Sequence, residues 1–245
     1  MSGAGGREDP NRARPLNLLA QGWEAVLDLL YPPLCVLCHE RLSRGERVVC
    51  SRCWAKVERW DGEAALEACK LVRPIYAAGL FKAQGPGKDD DPDPMRGIIH
   101  NLKYRNKRSL ARRLGEWMAG SLPGGAGFDA VIPVPLHPAR KRERGYNQSD
   151  LLAREVAARL GIPVLTRALK RVRNTRSQTG LKREERLLNV QGAFRVKDKP
   201  AVSGKAVLLV DDVTTTGATL EACGEALILA GAGKVMAVVA CWAQS

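Results

Sequence analysis

Apolar positions fall at two spacings along the chain, and each spacing assigns an element. The continuous apolar runs at 130–136 (AVIPVPL), 207–210 (VLLV) and 235–241 (VMAVVAC) read as strands covered on both faces, as in a parallel sheet. Residues 73–82 (RPIYAAGLFK) read as a further strand. Helical spacing recurs at Leu16, Leu18, Leu19, Trp23, Val26, Leu27 and Leu30, again over 220–229, and in a basic region over 95–117. The 16–30 helix is too short and polar to span a bilayer, and no membrane insertion is expected. Residues 1–14, rich in Gly, Arg and Asp, predict a disordered tail. The acidic, Pro-rich stretch 84–94 (QGPGKDDDPDP) predicts a solvated loop, without the spaced ligands and glycine of an EF-hand.

The candidate chemistry sits where the 207–210 strand ends. Asp211 and Asp212 follow directly, at the end of a strand where open α/β sheets bind their ligands. Thr214, Thr215, Thr216, Gly217, Ala218 and Thr219 come next, a hydroxyl-rich glycine turn leading into the 220–229 helix. A phosphate would lie on such a helix N-terminus, held by unpaired N–H groups and the macrodipole. Two acids after a strand can also cap a turn, but capping does not require the hydroxyl-glycine turn behind them. A P-loop is excluded, because Gly87-Lys88, Gly204-Lys205 and Gly233-Lys234 all lack a glycine five positions earlier. A receiver domain calls for several strand–helix units after its acid pair, and one helix and one strand follow here. The 130–136 strand breaks at His137-Pro138 into a basic loop over 139–147 (ARKRERGYN), whose guanidinium forks suit a pyrophosphate; a solvated charged loop is the plainer alternative.

Cys35, Cys38, Cys50 and Cys53 form two C-x2-C pairs separated by eleven residues. Two such knuckles complete a tetrahedral shell of thiolates, and a closed four-ligand site makes the Zn²⁺ structural rather than catalytic. Disulfides are the competing reading; no secretory pattern precedes the cysteines, so metal and a cytoplasmic location are expected. Cys69, Cys223 and Cys241 have no matching spacing and read as small buried hydrophobes. The net charge of +13 over 245 residues implies anionic ligands. Its spread over 103–113, 140–144 and 167–186 suits a polyanion such as single-stranded DNA, with Trp54, Trp60 or Tyr104 as stacking surfaces, although solubility or compositional bias toward Arg gives the same excess.

The stretch AVLLVDDVTTTGAT resembles the phosphoribosyl pyrophosphate (PRPP) signature of type I phosphoribosyltransferases. Together with PVPLHPARKRERGYNQSDLLA and NTRSQTGLKREERLLNVQGAF, and with the cysteine module ahead of them, it resembles the competence protein F (ComF/GntX-like) family. The resemblance implies an α/β type I phosphoribosyltransferase fold, a central parallel sheet of about five strands with flanking helices, preceded by a four-cysteine zinc ribbon. The implied division is a tail over 1–14, a helix plus ribbon over 15–69 and a phosphoribosyltransferase-like domain over 70–245. On the same resemblance Asp211 and Asp212 are the catalytic pair, holding the ribose hydroxyls near a Mg²⁺. Thr214, Thr215, Thr216, Gly217, Ala218 and Thr219 hold the 5-phosphate. Pro135, Leu136, His137, Arg140 and Arg144 take the pyrophosphate, with Arg142, Asn147 and Gln148 as nearby candidates. Residues 178–186 form a flap in which Gln178, Leu181 and Arg186, with Asn189 beyond, match the pattern. The implied function is PRPP binding with pentosyl transfer and pyrophosphate release, linked to competence and DNA uptake. The alternative is a non-catalytic PRPP sensor or single-stranded-DNA-binding factor, with a competence helicase or recombination-mediator protein as partner.

Overall fold

The computed structural model describes residues 31–60, 62–64, 66, 69–82, 93–173 and 189–244. The expected tail, the 16–30 helix, residues 84–92 of the acidic loop, and Gln178, Leu181 and Arg186 of the flap lie outside them. The chain divides between Cys50 and Ser51 into two compact units. In the first, Leu34 bridges Arg41 and Arg47 bridges Val49 in antiparallel pairs. The Cys35 N–H donates to the Glu40 carbonyl at 2.8 Å and the Val36 N–H to that of Val48 at 2.9 Å, so the chain doubles back tightly between its cysteines.

The second unit holds the strands β1 (Val72–Ala77), β2 (Leu80–Lys82), β3 (Ala130–Pro133), β4 (Leu169–Arg171), β5 (Phe194–Val196), β6 (Ala206–Thr214) and β7 (Lys234–Gln244). Its helices are α1 (Ser51–Ala55), α2 (Pro94–Tyr104), α3 (Leu110–Gly120), α4 (Pro138–Arg144), α5 (Gln148–Leu160) and α6 (Ala218–Leu229). Five strands make a parallel sheet in the order β1-β7-β6-β3, with β2 continuing along β7 beyond β1, while β4 and β5 form a separate antiparallel pair. Val207, Leu208, Leu209 and Val210 are fully buried, as their unbroken apolar run requires of a strand inside a two-faced sheet.

Three elements differ from the sequence expectation. The 95–117 region is two helices, parted where Asn106 takes a left-handed φ of 53°. The 73–82 strand is interrupted at Ala78-Gly79. The basic stretch after His137 is not a loop for most of its length but the helix α4. Pro138 occupies its first turn, the His137 Nδ1 accepts from the Ala139 N–H at 3.3 Å, and Gly145 closes it at φ 81°. No α4 residue is buried, so no apolar periodicity marks the helix; its caps and Pro138 make it.

Candidate functional site

The site is built at the carboxyl end of β6, which is the strand that continues through Asp211 and Asp212 to Thr214. Both carboxylates are nearly inaccessible, at 8% and 3% exposure. Asp211 Oδ1 accepts from the Ser149 hydroxyl at 2.9 Å, and also from the Asp212 N–H at 2.9 Å. Asp212 Oδ1 accepts from the Val213 N–H at 2.9 Å, and its Oδ2 lies 2.7 Å from the Lys103 ammonium. Burial, with the adjacent Asp212 charge, pushes the Asp211 carboxyl up to about 7; the Asp212 N–H, Lys103 and Ser149 oppose that shift. Burial also works against the Lys103 charge, but Asp212 and then Asp211 outweigh it and hold the ammonium protonated. A buried acid pair with one carboxyl pushed up, bonded by Lys103 and Ser149, is a candidate functional site.

Beyond β6 the chain turns through Thr215 and Thr216 into α6. Gly217 stands at the helix N-cap with φ 82°, and a Cβ there would lie 2.3 Å from the Cys69 sulfur, so both backbone and space require glycine. The Ala218 N–H is 3.4 Å from the Thr216 hydroxyl. Behind this turn, Glu221 on the first turn of α6 accepts from the N–H groups of Lys70 and Leu71 at 2.9 Å and of Val72 at 3.2 Å.

The expected pyrophosphate segment opens beside the acids. The Val134 N–H donates to the Val210 carbonyl at 2.9 Å, and Pro135, Leu136 and His137 follow, half-buried, in the turn before α4. Arg140 and Arg144 line a cleft of about 460 Å³ together with Lys103, Tyr104 and Tyr146. The Arg144 guanidinium stacks 5.0 Å over the Tyr104 ring and donates to Gln148 Oε1. Asn147 is instead the N-cap of α5: its side chain accepts from the Ser149 N–H at 3.2 Å and donates to the Val134 carbonyl at 3.0 Å. Arg142 is exposed on α4 and is not among the residues lining this cleft.

Three residues at the site escape sequence reasoning. Lys103 and Ser149 come from separate helices, and no local pattern ties them to the acids. Arg171, on β4, is 9% exposed, and its charge is disfavoured by burial and by Arg140, while Asp211 favours it.

Trp54 does not serve as a stacking surface: it is 4% exposed, packed edge-on against Trp117 with centroids 5.0 Å apart. The half-buried Trp117 takes the Arg59 guanidinium at 4.1 Å from its centroid. Trp60 packs edge-on with Trp242 at 5.9 Å, and Tyr104 is 64% exposed.

The sulfurs of Cys35, Cys38, Cys50 and Cys53 all lie within 4.8 Å of one another. Tetrahedral Zn–S bonds of about 2.3 Å separate thiolates by about 3.8 Å, so the four fit one Zn²⁺. Burial raises the Cys35 pKa, but donors from Cys38, Cys50 and Leu37 bring it down to about 6, which favours the thiolate that a metal needs. Cys69, Cys223 and Cys241 are buried, as expected, with exposures of 1%, 0% and 0%.

Residues 148–245 match the phosphoribosyl transferase domain, and residues 26–71 match the double zinc ribbon domain. Competence protein F of Haemophilus influenzae is 36% identical over 207 residues, covering 76% of this chain and 87% of that protein. The chain belongs to the competence protein F family. DNA utilization protein YhgH of Escherichia coli K12 is 30% identical over 227 residues, covering 87% of this chain and 98% of that protein. Competence protein ComFC of Bacillus subtilis is 27% identical over 219 residues, covering 85% and 84%. Among solved structures, the glutamine PRPP amidotransferase of B. subtilis aligns over 58% of this chain and 30% of its own at 22% identity, with a TM-score of 0.41. This family member has the type I phosphoribosyltransferase fold with a four-cysteine ribbon ahead of it. The one other cysteine in the 26–71 stretch, Cys69, directs its thiol to the Gly217 carbonyl at 3.5 Å and takes no part in the four-sulfur cluster. Among the described residues, no helix is long and apolar enough to cross a membrane.

Proposed function

We propose that this ComF-family protein binds PRPP at the end of β6, with Mg²⁺, in the cytoplasm. The observation that carries this reading is the buried Asp211–Asp212 pair, set between an amide-rich glycine turn on α6 and a cleft lined by Arg140 and Arg144. The acids hold the ribose 2- and 3-hydroxyls. The N–H groups and hydroxyls of Thr214, Thr215, Thr216, Gly217, Ala218 and Thr219 hold the 5-phosphate against the α6 macrodipole. The pyrophosphate lies toward the turn from Pro135 to His137, with Arg140 and Arg144 as cationic partners.

The donor set fits the metal: Mg²⁺ takes oxygen ligands, held by one or two carboxylates plus substrate phosphates, and the acids here offer only oxygen. When bound, Mg²⁺ neutralises pyrophosphate charge. Where a nitrogen nucleophile attacks the anomeric carbon, the C1–O bond breaks and its electron pair leaves on pyrophosphate. Arg140 and Arg144 stabilise that charge while Asp211 and Asp212 fix the ribose, so no side chain acts as a covalent nucleophile. Without an acceptor, the same contacts make a PRPP sensor. Calorimetric titration with PRPP, with and without Mg²⁺, separates binding from its absence. Asp211→Asn with Asp212→Asn should abolish binding while the fold persists, and unchanged affinity in that variant would refute the site.

A second reading, binding of single-stranded DNA, is favoured by one surface. Arg59 and Arg113 stack on Trp117, and Arg52, Lys56 and Arg112 are exposed on the same two elements, α1 with the turn after it and α3. Exposed cations beside an indole are what a phosphate backbone with stacking bases engages, and the relatives' names concern competence and DNA utilization.

A further inference from the structure

Lys103 occupies a position that the PRPP reading leaves without a task. It ends α2, remote in sequence from both the glycine turn and the pyrophosphate segment. Its ammonium touches Asp212 Oδ2 at 2.7 Å, and its side chain, 22% exposed, lines the same cleft as Arg140 and Arg144. Among the described residues it touches both halves of the site, the acid pair and the cleft that Arg140 and Arg144 line.

One ligand bridging these halves has a fixed order of groups. In PRPP the ribose 2-hydroxyl and the pyrophosphate stand on neighbouring carbons, C2 and C1. A side chain that bonds the acid holding the hydroxyls, and also faces the cleft that holds the phosphates, therefore stands next to the oxygen joining C1 to the pyrophosphate. An ammonium carries three N–H donors, and the Asp212 contact uses one. Lysine also suits this place better than arginine, since a compact charge on a flexible stem can serve a carboxylate and a phosphate oxygen together, without a planar fork to align.

Resting on the PRPP reading, we infer that Lys103 is a pyrophosphate-binding residue, donating from the end of α2 to the oxygens next to the anomeric carbon while Asp212 fixes its direction. It is a built-in cation at the leaving-group end of the site. When the C1–O bond breaks, the electron pair passes to the pyrophosphate oxygen, and the Lys103 hydrogen bond strengthens as that charge grows. Lys103 keeps its own proton throughout. The competing account is a structural ion pair whose sole task is to neutralise Asp212.

The two accounts separate when the halves of the ligand are offered one at a time. Inorganic pyrophosphate and ribose 5-phosphate are each titrated calorimetrically, with Mg²⁺ present, into the wild-type protein, Lys103→Met and Lys103→Arg. The expected result is a loss of about tenfold or more in pyrophosphate affinity for Lys103→Met, the scale of one charged hydrogen bond. Ribose 5-phosphate affinity should fall by clearly less than pyrophosphate affinity, circular dichroism shows that the variant is folded, and Lys103→Arg should recover part of the pyrophosphate loss. Unchanged pyrophosphate affinity in Lys103→Met, or an equal loss for both ligands, overturns the inference while the PRPP reading stands. A wild-type protein that binds neither ligand overturns the PRPP reading and this inference with it.

Discussion

Asp211→Asn should stabilise the protein more at alkaline than at acidic pH. The folded carboxyl is pushed up to about 7 from an ordinary value of 3.8, first by burial and then by the charge of Asp212. Between those values the folded protein keeps a proton that the unfolded chain has released, so stability falls as pH rises through the window, and the loss is complete above about 7. At about 1.36 kcal/mol per unit, the full gap corresponds to a ceiling of about 4 kcal/mol at pH 8, against about 2 kcal/mol at pH 5. An asparagine removes the titration yet keeps an oxygen for the Ser149 hydroxyl and the Asp212 N–H. The stability of Asp211→Asn relative to wild type should therefore rise by about 2–3 kcal/mol from pH 5 to pH 8. Urea unfolding of both proteins at the two pH values, with no sugar phosphate present, measures this double difference, in which groups common to both proteins cancel. A difference that does not change with pH, or a variant less stable than wild type at pH 8, would show that the acid pair is not strained by its burial.

Replacing Cys35 or Cys50 with serine should release the zinc, because a closed tetrahedral site has no spare protein ligand; metal analysis showing one full equivalent retained in both variants would remove the four-cysteine assignment. Binding of an oligothymidylate should weaken steeply with salt, with a slope of roughly −0.7 per phosphate contacted, and should weaken further in Arg59→Ala with Arg113→Ala; a flat salt dependence would rule out the basic surface of α1 and α3.

Contiguous features were legible in the sequence, and features assembled across it were not. Asp211, Asp212 and the turn to Thr219 are a single run at the end of a fully apolar strand, so order along the chain places them together. The cysteine spacing was readable for the same reason. Lys103 and Ser149 bond the same two carboxylates from α2 and α5, and neither lies in a pattern that predicts this. Lys103 is one cation among many in a basic stretch. The helix α4 stayed hidden because its seven residues bury nothing. Asn147 has a residue type shared by ligand contacts and helix caps; only the bonds to Ser149 and Val134 tell which role it takes. Trp54 illustrates the limit for aromatic residues, since its position in the chain carried no sign that Trp117 would cover it.

The order of strands also constrains how the protein is made. β7, at 234–244, lies between β1 and β6 and bonds to both, so the strand bearing the acids has its full set of neighbours only after those residues have left the ribosome. Until then β1 and β6 each present an open edge, that of β6 rich in valine and leucine, the kind that pairs with other chains. A nascent chain halted before residue 234 would accordingly be a target for chaperones or proteolysis rather than a partly active protein, and translation through β7 becomes the step that commits the acid pair to its site.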